Sequence, residues 1–141
     1  SAELPKRRFG AASRMAKRAM KFPEQGLQIQ ICDFLRLCVP PPPEGPLWFA
    51  IPNGGWRLPK TAALMKATGT RAGCHDLMLV WQGRIYGIEL KAPRRLLTER
   101  QREFHWLFSR AGGFSFIVRS LDDFRAVLGR IGIPTRVAKA A

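Results

Sequence analysis

Three charged residues stand in a segment otherwise built like a pair of strands. They are Asp76, Glu89 and Lys91, in GCHDLMLVWQGRIYGIELKA (73–92). Two runs rich in apolar, aromatic and β-branched residues flank Gln82-Gly83, a two-residue step of the kind that closes a hairpin. With the turn centred there, Trp81 faces Arg84 and Asp76 faces Glu89. Directly opposed side chains have Cβ atoms about 4.5–5.5 Å apart. Lys91 lies two residues beyond Glu89 and shares its face of the sheet, whereas Ile88 and Leu90 point the other way. Two carboxylates at about 5 Å repel by about 3 kcal/mol at an effective dielectric of about 20. Lys91 offsets part of this, and a divalent cation would offset more. An all-oxygen donor set suits magnesium, with manganese as a substitute. A cation so held can polarise a phosphodiester and acidify water, and Lys91 could orient the attacking water or stabilise charge growing on the phosphate. The plainer alternative is a set of solvated charges on an edge hairpin, with Glu89 and Lys91 a weak surface pair.

The composition of the whole chain narrows the choice. The sequence has 141 residues, 24 Lys and Arg against 10 Asp and Glu, and a formal net charge of +14; its pI is about 11.2. That excess argues against an ordinary enzyme of small neutral substrates and for a polyanionic partner, above all nucleic acid. The three cysteines, Cys32, Cys38 and Cys74, lack paired spacing, which fits a reducing, cytoplasmic setting rather than a disulfide framework. Cys74-His75 and His105 come without a CxxC or HxxxH, which weighs against zinc. No apolar run reaches the ~18 residues of a membrane span.

The surrounding elements follow from periodicity and punctuation. Residues 1–21 carry seven basic residues against Glu3 and read as a basic arm. A single domain is expected over 22–131, followed by a basic tail over 132–141. Pro23 suits a first helical position, and Leu27, Ile31, Phe34, Leu35 and Cys38 share one face of a helix over 23–38. A Pro-rich loop at 40–46 precedes a short strand in LWFAIP (47–52) and a turn at Asn53-Gly54-Gly55. A short helix fits 60–68, and strands fit 75–81 and 84–91. Thr98 and Gln101 have capping-box spacing ahead of a helix whose apolar face is Phe104, Leu107, Phe108 and Ala111. FSFIVR (114–119) reads as a strand, and Ser120 as the cap of a last helix with Leu121, Phe124, Val127 and Leu128 inward. The order α-β-α-β-β-α-β-α describes an α/β chain, a small mixed sheet flanked by helices. The tryptophans Trp48, Trp56, Trp81 and Trp106 are expected in the core.

These residues, taken in order, resemble the PD-(D/E)xK nuclease superfamily. Within it they are similar to the VRR-NUC group, the virus-type replication-repair nucleases. The likeness runs from about 23 to 128 through PEQGLQ, IPNGGWR, ATGTRAGCHDLML, GIELKA, LTERQREF and AGGFSFIVRSLDDF. It implies a restriction-endonuclease-like core and a magnesium-dependent deoxyribonuclease, with Asp76 and Glu89 as metal ligands and Lys91 as the catalytic lysine. It also implies Glu24 as the acid of the first helix, reaching the metal directly or through water, and Gln101 as a glutamine close to the lysine and the phosphate. His75 stands where the group has proline. Glu24 in a first helical turn also suits the helix dipole by itself, and Gln101 can be simply half of a capping box. Gln28 lies one turn after Glu24 on the same face. Arg57, Lys60, Arg71, Arg94 and Arg95 are candidates for phosphate contacts. No base-reading motif is present, so the resemblance implies structure-selective, Holliday-junction-resolvase-like cutting by a homodimer, as a bacterial or phage-encoded protein of DNA repair. A non-catalytic DNA-binding module on the same fold is the alternative, and a basic RNA-associated protein a more distant one.

Overall fold

The structure is a computed structural model that describes residues 23–52 and 58–136. The basic arm, the turn at 53–55, Trp56, Arg57 and the last residues of the basic tail lie outside the described residues. The elements run α1 (Pro23–Cys38), β1 (Leu47–Ala50), α2 (Pro59–Ala67), β2 (Leu77–Trp81), β3 (Arg84–Leu90), α3 (Glu99–Arg110), β4 (Phe114–Val118) and α4 (Leu121–Ile131). This is the order expected from the sequence. The four strands form one sheet in the order β1-β2-β3-β4, antiparallel except for the parallel pair β3–β4.

The hairpin fixes the register that matters. Gln82 and Gly83 both have positive φ, 49° and 75°, the backbone of a type I′ turn, whose twist matches that of the strands it joins. Trp81 pairs with Arg84 and Leu77 with Ile88. One step further, the Asp76 N–H donates to the Ile88 carbonyl at 3.1 Å.

One face of the sheet is the main core. Leu77, Leu79, Tyr86, Ile88, Leu90 and Val118 meet Leu27, Ile31 and Leu35 of α1 and Phe124, Val127 and Leu128 of α4. Phe34 and Phe124 meet edge to face with centroids 6.4 Å apart. Ser120 Oγ accepts the Asp123 N–H at 3.0 Å and so caps α4. Ile133, two residues past the expected domain edge, is also buried, and the Arg136 N–H donates to the Cys38 carbonyl at 2.6 Å.

Among the described residues, the other face is covered only in part. Here α3 lies against β3 and β4, but its one fully buried residue is His105. Phe104, Leu107 and Phe108 are half-buried and Ala111 is exposed, so the apolar face read from the sequence is only the margin of the real contact. Trp48 and Trp81 pack against the core as expected. Trp106 does not: it is 62% exposed, because it projects from α3 away from the sheet. Leu47, Val80 and Ile85, paired across three strands, form an exposed apolar row on this face.

Phe124 is fully buried between the two core helices. Phe124→Ala is expected to lower unfolding stability by roughly 3–5 kcal/mol in urea melts; a loss below about 1 kcal/mol would show that this face is not close-packed.

Candidate metal and phosphate site

The site is assembled where β2 begins and β3 ends. Asp76 precedes the first residue of β2 and Glu89 lies in β3; their carboxyl groups share a hydrogen bond. Asp76 Oδ2 also accepts the Leu90 N–H at 2.8 Å, and Glu89 Oε1 lies 3.1 Å from His105 Nε2. Burial raises the Asp76 pKa to about 7, and the bond to Glu89 adds to the rise. Glu89 is also raised by burial, while the bond from Asp76 and the charge of Lys91 act the other way. Without a cation, then, burial favours a proton held between the two carboxyls. Lys91 is buried beside them and favours the charged form of both.

Glu24, in the first turn of α1, reaches across to the segment just past β3: its Oε1 accepts the Ala92 N–H at 3.2 Å. An open cleft of about 1060 Å³ is lined by Glu24, Gln28, Asp76, Arg95 and Gln101 among others. Gln101 is therefore brought to the site, but its amide oxygen is committed to the Thr98 N–H at 2.9 Å. Thr98 Oγ1 accepts the Gln101 N–H at 3.2 Å, which completes the capping box. Gln101 thus completes the cap of α3 and also lines the cleft.

The candidate phosphate contacts are placed unevenly. Arg95 lines the cleft. Arg94 is exposed in the turn after β3 with φ of 67°. The Arg71 guanidinium lies 5.8 Å from the Phe104 ring centroid. Lys60 is exposed on α2, none of whose residues lines the cleft.

Two contributors were not legible as such. Arg119 donates from NH1 to the carbonyls of Ala92 (2.8 Å) and Arg95 (2.7 Å), which pins the turn leaving Lys91. His105 offered a weak signal, a polar residue inside an apolar helical face. Its ring stacks on His75 at 4.1 Å and 4°. Burial pushes the His75 pKa down to about 3, and burial also lowers that of His105. His75, in the place of the group's proline, is fully buried and its Nε2 meets Ser115 Oγ at 2.7 Å.

The donor chemistry fits a hard divalent ion. One buried carboxyl and one half-buried at the cleft, drawn together by a hydrogen bond, are a pair that a cation can bind in place of the proton between them. Among the described residues, however, no group of three or more His, Cys, Asp or Glu side chains is arranged to hold a metal. No described helix is long and apolar enough to cross a membrane.

No family profile matches the sequence, and no curated protein matches it either. A solved structure described as a "VRR_NUC domain protein" is similar to this chain with a TM-score of 0.58 at 16% identity, covering 84% of this chain and 98% of that one. The fold, a mixed sheet flanked by helices, is thus that of the group the sequence resembles.

The raised Asp76 pKa makes a prediction for the metal-free protein. A carboxyl whose pKa rises on folding contributes stability that is complete below its unfolded value near 4 and is lost as pH rises through about 7. The opposite contribution of His75 falls below about pH 6.5. In chelator, Tm should fall between about pH 6.5 and 8, and Asp76→Asn should flatten that fall. An equal fall in the variant would place its origin elsewhere.

Proposed function

We propose that the chain is a magnesium-dependent endonuclease that hydrolyses phosphodiester bonds in DNA, with manganese as a substitute. The observation that carries this reading is the apposition of half-buried Asp76 and buried Glu89 at the β2–β3 register, with buried Lys91 directly after β3. The likeness in fold to a VRR_NUC domain protein supports it, since the sequence resemblance points to the same nuclease group.

In this reading Asp76 and Glu89 hold the ion, with Glu24 reaching it directly or through water. A bound divalent ion would supply Lewis-acid polarisation of the phosphodiester and a lowered pKa for water. The chain's own residues do the rest. The Lys91 ammonium orients the attacking water or stabilises charge developing on the phosphate. With its oxygen held in the cap, Gln101 offers its NH2 group to a phosphate oxygen. Arg71, Arg94, Arg95, Lys60 and Arg57 neutralise the DNA backbone, so affinity should fall steeply with salt. The absence of a base-reading motif favours branched DNA and resolvase-like cutting in repair, in a bacterial or phage-infected cytoplasm. A homodimer would present two such sites to two strands, and the apolar row Leu47–Val80–Ile85 is a surface suited to pairing.

A non-catalytic DNA-binding module is the second reading, favoured by the lack of a three-donor metal group among the described residues. Incubation with a four-way junction, a flap and plain duplex separates the two. Magnesium is expected to yield cleavage of at least one substrate, chelator none. Lys91→Ala should lower the rate by about 100-fold or more while DNA affinity holds. Magnesium giving no product from any substrate would leave the binding module.

A further inference from the structure

The imidazole of His105 touches Glu89 and nothing in the reaction scheme above uses it. We propose that His105 is a positioning residue: its Nε2–H fixes Glu89 Oε1, so that the carboxylate meets the ion in one orientation. This rests on the metal-dependent reading and extends it to α3, an element the ligand set does not include.

The geometry is over-determined. Glu89 is 1% exposed, and the His105–Glu89 bond of 3.1 Å is therefore sheltered from water. A carboxylate accepts hydrogen bonds and cannot donate, so the proton of this contact belongs to His105 Nε2. The terminal torsion of a glutamate is soft and roughly two-fold. With Oε1 tied to His105, rotation about it would break a buried bond.

The orientation of His105 is itself imposed. His75 lies parallel to it at 4.1 Å, is fully buried, and is tethered by the 2.7 Å contact to Ser115 Oγ on β4. Phe108 and Phe104 close the other sides, with centroids 4.7 Å and 5.7 Å from the His75 ring. Gly87 makes the stack possible: a Cβ there would come within 2.5 Å of the His75 ring. Two imidazoles buried this tightly against a site carboxylate form a support of the kind that commonly governs metal affinity by 10- to 100-fold, order of magnitude.

Manganese binding by the full chain without DNA, followed by electron paramagnetic resonance, tests this. Glutamine can place an amide nitrogen near the position of Nε2, whereas asparagine is too short. His105→Gln should bind Mn2+ within about threefold of the native protein, and His105→Asn roughly 10- to 100-fold more weakly. Melting in chelator should show both variants folded and similar in Tm, and DNA affinity should be unchanged. Equal Mn2+ affinity in the two variants would overturn the positioning role, as would weakening that merely tracks a loss of fold. A native protein that binds no Mn2+, or binds it undiminished after Asp76→Asn, would overturn the metal reading itself and the inference with it.

Discussion

Two acids are held face to face, one buried and one lining an open cleft, and most of the structure can be understood as what makes that tolerable. The turn at Gln82-Gly83 sets which residues oppose each other, and the paired strands then leave Asp76 and Glu89 no independent choice of position. Burial raises both pKa values, so the pair settles by sharing a proton, accepting the Leu90 N–H and the His105 imidazole, and lying near Lys91. The apolar core on the opposite face of the sheet gives the strands the rigidity to hold this arrangement.

Electrostatics divides the molecule into two regimes. Glu89 and Lys91 sit where the dielectric is low and each interaction is strong. The arginines around the cleft are solvated, and individually weak, but act together on a polyanion. Arg119 joins the regimes, because its guanidinium holds the carbonyls of the turn on which Arg94 and Arg95 are displayed.

Much of this was legible because it is local. A two-residue turn with alternating apolar flanks dictates register, and register dictates that Asp76 opposes Glu89. The box at Thr98 and Gln101 and the cap at Ser120 could be read for the same reason, as each spans three residues. The stripe Leu27–Ile31–Leu35 gave the buried face of α1. What stayed hidden depends on contacts between residues far apart in sequence. His105 was weighed only as a zinc candidate because its partners, Glu89 and His75, lie on other elements, and a polar residue within an apolar stripe carries no sign of what it meets. Trp106 was expected inside on composition alone, yet helical phase turns it outward. Arg119 lies 27 and 24 residues from the carbonyls it binds, beyond the reach of any local pattern.

Gly87 has a consequence for how such a chain can change over time. Its missing side chain is the floor on which the His75 ring rests, so positions 75 and 87 form a lock that neither can leave alone. A bulkier residue at 87 evicts the imidazole, whereas a smaller one at 75 opens a void above the strand. Kindred sequences should therefore drift at these two sites in concert, trading a ring and a hydrogen atom for some other pair of matched volume.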